Sequence, residues 1–320
     1  MAFPAAAPAR GPAPFGPRTA AGGAALRQAV REETLGIVGA PFALAAKLVE
    51  RAGFDAIYLS GAALSAGTLG VPDIGLFTRD QLVEQTRILA RAVAIPLVVD
   101  ADTGFGGPRE VEETVRLLED AGAAAIQLED QAGGTAGGKR CGHLAGKELL
   151  PAEAMAEKLA AAAAGRRDPG TVIIGRTDAR GVHGLDDCLR RMHAYRAAGA
   201  DWLFPEALGS RDEFARVGDE FGAGGTPLLA NMTEFGIGPL VSIPDLAAAG
   251  FAAVLYPVTL LRLAVKAMEA GLAVLAADGT QESLLDLMQS REELYDLLGY
   301  DPRHPERHAA GPAAAQEELP

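Results

Sequence analysis

Cysteine is scarce in this chain: its 320 residues include two, Cys141 and Cys188. Two thiols build no disulfide framework, so a reducing interior, the cytoplasm, is the expected setting. Positive charge is also in short supply, with 29 lysines and arginines against 42 acidic residues and a net charge of −13. That balance argues against nonspecific nucleic-acid binding and leaves carboxylates to spare for a metal. No apolar run is long enough to cross a bilayer. Nor does a G-x-G-x-x-G follow the first strand-like segment, which counts against a dinucleotide-binding open sheet.

The two ends lack the periodicity of packed structure. "MAFPAAAPARGPAPFGPRTA" has no continuous apolar core of a secretory signal, and with "PRHPERHAAGPAAAQEELP" it reads as disordered. Residues 1–21 and 302–320 are therefore expected to be disordered, and 22–301 to fold as one domain.

Within that domain a module recurs: "RAGFDAIYLSG", "DAGAAAIQLED", "AAGADWLFPEA" and "AAGFAAVLYPV". In each, a helical pattern ends at Gly53, Gly122, Gly199 or Gly250, suited to the left-handed position after a helix. A short apolar run with the character of a buried parallel strand follows. "GIVGA", "IPLVVDADTG", "TVIIGRTDA" and "TPLLANMTE" supply four more strands. Helix starts are marked by Thr78 with Gln81 and Ser210 with Glu213 as capping boxes, and by Pro41 and Pro108 as first-turn prolines. Eight strand–helix units predict a (β/α)₈ TIM-type barrel, with a doubly wound sheet as the rival.

Chemistry in a barrel gathers where the strands end. Here those ends carry Ser60, Asp100, Asp102, Glu129, Asp130, Arg176, Asp178, Glu206, Asn231, Thr233 and Tyr256. Packing alone does not call for an acid or amide at nearly every exit. Alternation puts Asp100 and Asp102 on one side of the strand axis, where two carboxylates repel unless a cation lies between them. With Asp73 and Glu129 as further oxygens, the pattern fits a hard cation such as Mg²⁺. Asp102 alone also suits a helix cap.

Cys188 sits on a helical pattern and reads as a small buried hydrophobe. Cys141, in the glycine-rich "GGTAGGKRCGHLAGK", does not. Lys139, Arg140 and His143 favour its thiolate, making it a reactive thiol, nucleophile or acid. Arg176 fits a fork for a substrate carboxylate, or a salt bridge to Glu206. Together these residues suit an anionic oxo- or hydroxy-acid whose developing enolate is held by a metal.

Through "YLSGAAL", "DADTGFGG", "QLEDQ", "KRCGH", "GRTDARGVHGLDD", "LFPEAL", "LANMTEFG", "LYPVTLLR" and "GTQESLLDLMQSREELY", the chain resembles the isocitrate lyase and phosphoenolpyruvate mutase superfamily from about Gly36 to Tyr300. KRCGH marks its lyase branch. The resemblance implies a barrel whose C-terminal helices swap between subunits of a homotetramer. It also implies Mg²⁺-dependent (or Mn²⁺-dependent) retro-aldol cleavage of a small tricarboxylate, 2-methylisocitrate, to pyruvate and succinate in propionate breakdown. Isocitrate, 2,3-dimethylmalate and oxaloacetate remain rival substrates, and a silent binding barrel is a rival of another class.

By motif, Asp100 is then the principal metal carboxylate, with Asp73, Asp102 and Glu129 around it. Ser60, Gly61 and Ala62 hold the pyruvate half and Arg176 neutralises its charge. Gly142, His143, Asn231, Thr233 and Arg262 hold the succinate half, while Leu255 and Pro257 contact the methyl group. Glu206 orients Arg176, and Cys141 is the general acid. The run "AGGTAGG" between "EDQ" and "KRCGH" is longer and richer in glycine than the family pattern. The loop is expected to be disordered without ligand, because glycine raises the entropy lost on ordering.

Overall fold

The computed structural model describes residues 21–132, 139, 140, 143, 146–222 and 224–305. Cys141, Gly142, most of "AGGTAGG" and nearly all of the two ends expected to be disordered lie outside those residues. Eight strands alternate with helices: β1 (Leu35–Gly39), β2 (Ala56–Leu59), β3 (Leu97–Asp100), β4 (Ala125–Glu129), β5 (Val172–Thr177), β6 (Trp202–Pro205), β7 (Leu229–Asn231) and β8 (Ala253–Tyr256). Seven lie within the segments marked in the sequence, and β1 begins one residue before "GIVGA".

All the pairings are parallel, in the order β6-β5-β4-β3-β2-β1-β8-β7. The ends of that order meet at a parallel bridge between Leu203 and Leu228, with the Leu203 N–H donating to Pro227 O at 3.0 Å. The sheet is thus a nearly closed (β/α)₈ barrel. The four module glycines follow helix ends with φ of 88°, 102°, 104° and 84°, a conformation costly for residues bearing a Cβ.

Side-chain alternation explains where the chemistry sits. Leu35 and Ile37, Ala56 and Tyr58, Val98, Ala125, Val172 and Ile174, Trp202 and Phe204, Leu229, and Ala253 and Leu255 form one buried cluster inside the barrel. Their alternate neighbours, among them Ile57, Leu59, Val99, Ile126, Ile173 and Leu203, pack outward against the helices. Leu26, on the helix Gly23–Glu32, belongs to the inner cluster and plugs the N-terminal end. Two residues past the last apolar inward position, the same parity brings Ser60, Asp100, Gln127, Arg176, Glu206 and Asn231 to the C-terminal mouth. A further step on β4 brings Glu129.

Local signals fare unequally. Thr78 and Gln81 form a reciprocal capping box, and Pro108 opens its helix. Ser210 caps as expected, but Glu213 turns its carboxylate to Arg180 and the Gly209 N–H. Pro41 precedes the helix Ala43–Arg51, whose N-cap is Phe42, and so is not in its first turn. Beyond β8, the helix Thr259–Asp278 has no buried residue and leaves Leu263, Met268 and Leu272 more than half exposed. It continues into Glu282–Leu287 and Arg291–Leu298.

Candidate active site

Asp100, the last residue of β3, is held by three donors. The Gly61 N–H reaches its Oδ2 at 3.1 Å, while the Asp102 N–H and Gln127 Nε2 reach Oδ1 at 3.1 Å each. Gln127 is oriented in turn by the Tyr58 hydroxyl, which donates to its Oε1 at 2.5 Å. Gly61 belongs there because a Cβ would lie 3.2 Å from Asp100 Oδ2. Its N–H is directed at Asp100 rather than into the cavity.

Asp102 joins Asp100 by a different route from simple alternation. β3 ends at Asp100, and Asp102 adopts φ +52° in the turn beyond it. Aspartate tolerates that left-handed region better than most residues, and strain of this kind gathers at functional sites. The turn brings ligand oxygens of Asp100, Asp102 and Glu129 within 4.8 Å of one another, all three residues buried. Among the described residues neither Glu129 oxygen has a hydrogen-bond donor, a costly state for a buried carboxylate unless a cation or proton meets it. Burial pushes the Glu129 carboxyl well above the usual range, against the opposing pull of Arg176. These residues fit a metal ion of oxygen-ligand preference.

Lys139 brings its own cation to this cluster. Its ammonium contacts Asp102 and lies 3.4 Å from Asp73 Oδ1 and 3.9 Å from Glu129 Oε1. The neighbouring Arg140 is fixed through its backbone by the Gln131 side-chain amide, at 2.8 and 2.9 Å.

Arg176, the inward residue near the end of β5, is 8% exposed and bound on three sides. Nε and Nη2 fork onto Asp178 at 3.0 and 3.2 Å, Nη1 lies 3.2 Å from Glu206 Oε2, and Nε lies 3.4 Å from Glu129 Oε2. Its guanidinium stacks over Phe204 at 5.2 Å. Glu206 also accepts from Asn231 Nδ2 at 3.1 and 3.2 Å, and His143 Nε2 lies 2.9 Å from its Oε1. His143 Nδ1 accepts the Ile237 N–H at 3.2 Å, so a neutral imidazole carries its proton on the side facing Glu206. Burial pushes Glu206 upward, but Arg176, His143 and Asn231 outweigh it and hold its pKa at about 2, below an ordinary 4.5.

A depressed acid stabilises the fold above its unfolded pKa, and that stability is lost as pH falls through the folded value. Wild type should therefore lose stability between about pH 4.5 and about 2 partly through Glu206. Acid denaturation of Glu206→Gln should be less steep across that window. Superimposable curves would show that Glu206 contributes nothing there.

A cavity of about 100 Å³ joins these groups. Ser60, Ala62, Asp73, Asp100, His143, Arg176, Glu206, Asn231, Thr233, Leu255, Pro257 and Arg262, all singled out in the sequence, line it. Tyr58, Lys139, Phe204 and Val258 line it too, and sequence reasoning did not place them there. Inward parity on β2 and β6 was the available signal for Tyr58 and Phe204. The larger cavity, about 690 Å³, opens at the N-terminal end beside Arg27, Trp202 and Phe251, away from every strand-end carboxylate. Arg262 stands at the rim, with Nε 3.5 Å from Glu234 Oε2 and its guanidinium 5.2 Å from the Phe235 ring. Cys188 is buried on the helix Leu185–Ala197, where burial pushes its thiol well up and keeps it protonated.

A nearly closed parallel barrel with clustered carboxylates and a buried arginine at its C-terminal mouth defines an α/β-barrel enzyme with a place for a cation. Residues 29–276 match the phosphoenolpyruvate phosphomutase family model, and the chain belongs to that family. It is 49% identical over 255 residues to a 2-methylisocitrate lyase of Aeropyrum pernix, covering 80% of each chain. It is 44% identical over 280 residues to the 2-methylisocitrate lyase of Salmonella typhimurium, covering 87% of this chain and 92% of the relative. A crystal structure of 2,3-dimethylmalate lyase superposes with a TM-score of 0.81 at 32% identity, covering 94% of this chain and 99% of that one. Oxaloacetate acetylhydrolase bound to 3,3-difluorooxalacetate gives 0.82 at 30% identity, covering 90% and 97%.

Proposed function

We propose that this protein is a carbon–carbon lyase that cleaves 2-methylisocitrate to pyruvate and succinate, in the methylcitrate cycle of propionate catabolism. The observation that carries the reading is one cavity lined by Asp100, Arg176, Glu206, Asn231 and Arg262, in a chain 44–49% identical to proteins named for that reaction. The metal would be Mg²⁺, with Mn²⁺ as a substitute, and Asp100 would hold it with Asp73, Asp102 and Glu129 around it. When bound, it supplies Lewis acidity at the oxygens of the departing 2-oxo acid.

The chain's own groups do the rest. Ser60 and Ala62 receive the pyruvate half at the start of the helix Gly61–Ala63, Gly61 serves that end by fixing Asp100, and Arg176 offsets the charge. Gly142, His143, Asn231, Thr233 and Arg262 hold the succinate half. Asn231 Oδ1 is buried with no donor among the described residues and can accept one from substrate or water. Leu255 and Pro257 present an apolar wall to the methyl group. In the reaction the carbinol proton passes to a basic group of the site, and the bond from the carbinol carbon to the adjacent methine breaks. The carbinol carbon becomes the keto carbon of pyruvate. The electron pair stays on the methine, where the Cys141 thiol delivers a proton to complete succinate. Glu206 keeps Arg176 and His143 in place.

The reading extends to a cytoplasmic homotetramer in which C-terminal helices swap between subunits. The unburied apolar face of Thr259–Asp278 supports it, since Leu263, Met268 and Leu272 gain by being covered. Light scattering checks the assembly.

Pyruvate release from 2-methylisocitrate should require Mg²⁺ and fall roughly 10²-fold or more in Cys141→Ser, within the range for a lost general acid. Preference for isocitrate would keep the chemistry and correct the substrate. A methyl group in an apolar pocket discriminates by only about 1–3 kcal/mol. No cleavage of either substrate would overturn the lyase reading.

A further inference from the structure

Lys147 stands at the C-terminal root of the Cys141 loop, and its side chain is 2% exposed. Its place is fixed by pairing just beyond it. The Ala132 N–H donates to Glu148 O at 2.8 Å, Gln131 bridges Leu149, and the Leu150 N–H donates to Asp130 O at 2.9 Å. From there Nζ donates to Asp178 Oδ1 at 2.8 Å, and the Asp178 side chain is 0% exposed.

Asp178 is also the fork that holds Arg176, so one carboxylate serves two buried cations. Asp178 is itself anchored, since its N–H donates to Asp130 Oδ1 at 2.9 Å. Arg176 faces three carboxylates, those of Asp178, Glu129 and Glu206, and its charge is outweighed locally. Lys147 supplies a compensating charge at Asp178 Oδ1, the oxygen it shares with Arg176 Nη2. Removing this lysine alone would break a buried pair from one side and cost stability whatever its role, so ligand binding and not stability separates a positioning role from a structural one.

We infer that Lys147 is a positioning residue for anion binding: through Asp178 it fixes the guanidinium of Arg176 and limits how far that guanidinium is neutralised. The inference rests on the reading that Arg176 meets a substrate carboxylate. It predicts effects of opposite sign on cations and anions. Without the Lys147 charge, Asp178 falls wholly on Arg176 and the mouth becomes more negative. Anions should bind less well, and a divalent cation should bind as well or better.

The test uses full-length Lys147→Met and Lys147→Arg, with Mn²⁺ and then oxalate as probes. Mn²⁺ affinity is read by electron paramagnetic resonance, and oxalate affinity by calorimetry on the Mn²⁺-loaded protein. Lys147→Met should weaken oxalate roughly tenfold while Mn²⁺ affinity holds or rises, the asymmetry expected of a lost buried charge. Lys147→Arg should stay within about threefold of wild type for both probes, because the charge is kept. In turnover, KM should rise more than kcat falls.

Loss of both affinities together would reduce Lys147 to a structural pillar and overturn the inference. So would an unchanged oxalate affinity in Lys147→Met, or a wild type that binds no oxalate. Should Lys147→Met not fold, a tenfold loss of oxalate affinity in Lys147→Arg overturns it equally. The binding arms stand apart from turnover, so a wild type that binds oxalate yet leaves 2-methylisocitrate uncleaved would sink the proposed function alone.

Discussion

Asp100→Ala is expected to abolish metal-dependent turnover, lowering kcat/KM by about 10⁴-fold or more, an effect of several kcal/mol in Lewis-acid assistance. Asp100 accepts from the Gly61 N–H, the Asp102 N–H and Gln127 Nε2, each at 3.1 Å. A carboxylate fixed on three sides keeps its remaining lone pairs aimed where the Asp102 and Glu129 oxygens converge. Alanine removes that charge and leaves buried donors unmet, at about 1–3 kcal/mol for each that water does not reach. Asp100→Asn is the closer control, because it keeps the size and one acceptor oxygen while removing the charge. Calorimetric titration with Mn²⁺ should show binding lost in both variants, and pyruvate release should fall with it. A variant that still turned over within tenfold of wild type at saturating metal would remove Asp100 as principal ligand.

The sequence makes that site legible because barrel strands obey parity. Once β3 is located by "IPLVVDADTG", the inward apolar series through Val98 points to Asp100, and Trp202 and Phe204 point to Glu206 in the same way. The glycines after four helices fix where those strands begin. What the sequence hides lacks a period. Asp102 reaches the cluster by a positive φ that alternation does not encode. Lys139 reads as a neighbour of the Cys141 thiol and Lys147 carries no signal of its own, yet both are buried against carboxylates that follow other strands. Asp178 reads as one more strand-end acid until Arg176 folds back on it across two residues. Their partners are set by packing between distant segments, and a single sequence carries no local trace of that.

The same network gives Arg176→Met the largest expected effect on the fold. Met keeps most of the aliphatic stem but leaves Glu129, Asp178 and Glu206 without the cation all three share. Breaking a buried pair from one side costs about 3–5 kcal/mol, equivalent to a Tm lowered by about 10 °C in a chain of this size. The loss should depend on pH with a definite sign. In wild type Arg176, with His143 and Asn231, outweighs burial and holds Glu206 at about 2. Without it, burial is opposed only by His143 and Asn231, the Glu206 pKa rises, and the variant's deficit shrinks as falling pH protonates the carboxyl. The Tm deficit should therefore be larger at pH 8 than at pH 5. Arg176→Lys separates fold from chemistry. It restores a positive charge and part of the Tm, but an ammonium lacks the planar fork that meets both Asp178 oxygens. Turnover should stay depressed in that variant even where stability returns. A lysine variant with wild-type kcat and KM would show that charge alone suffices and that the fork on Asp178 has no part in catalysis. A methionine variant whose Tm deficit was constant from pH 5 to pH 8 would show that the carboxylates around Arg176 are neutralised by some other group.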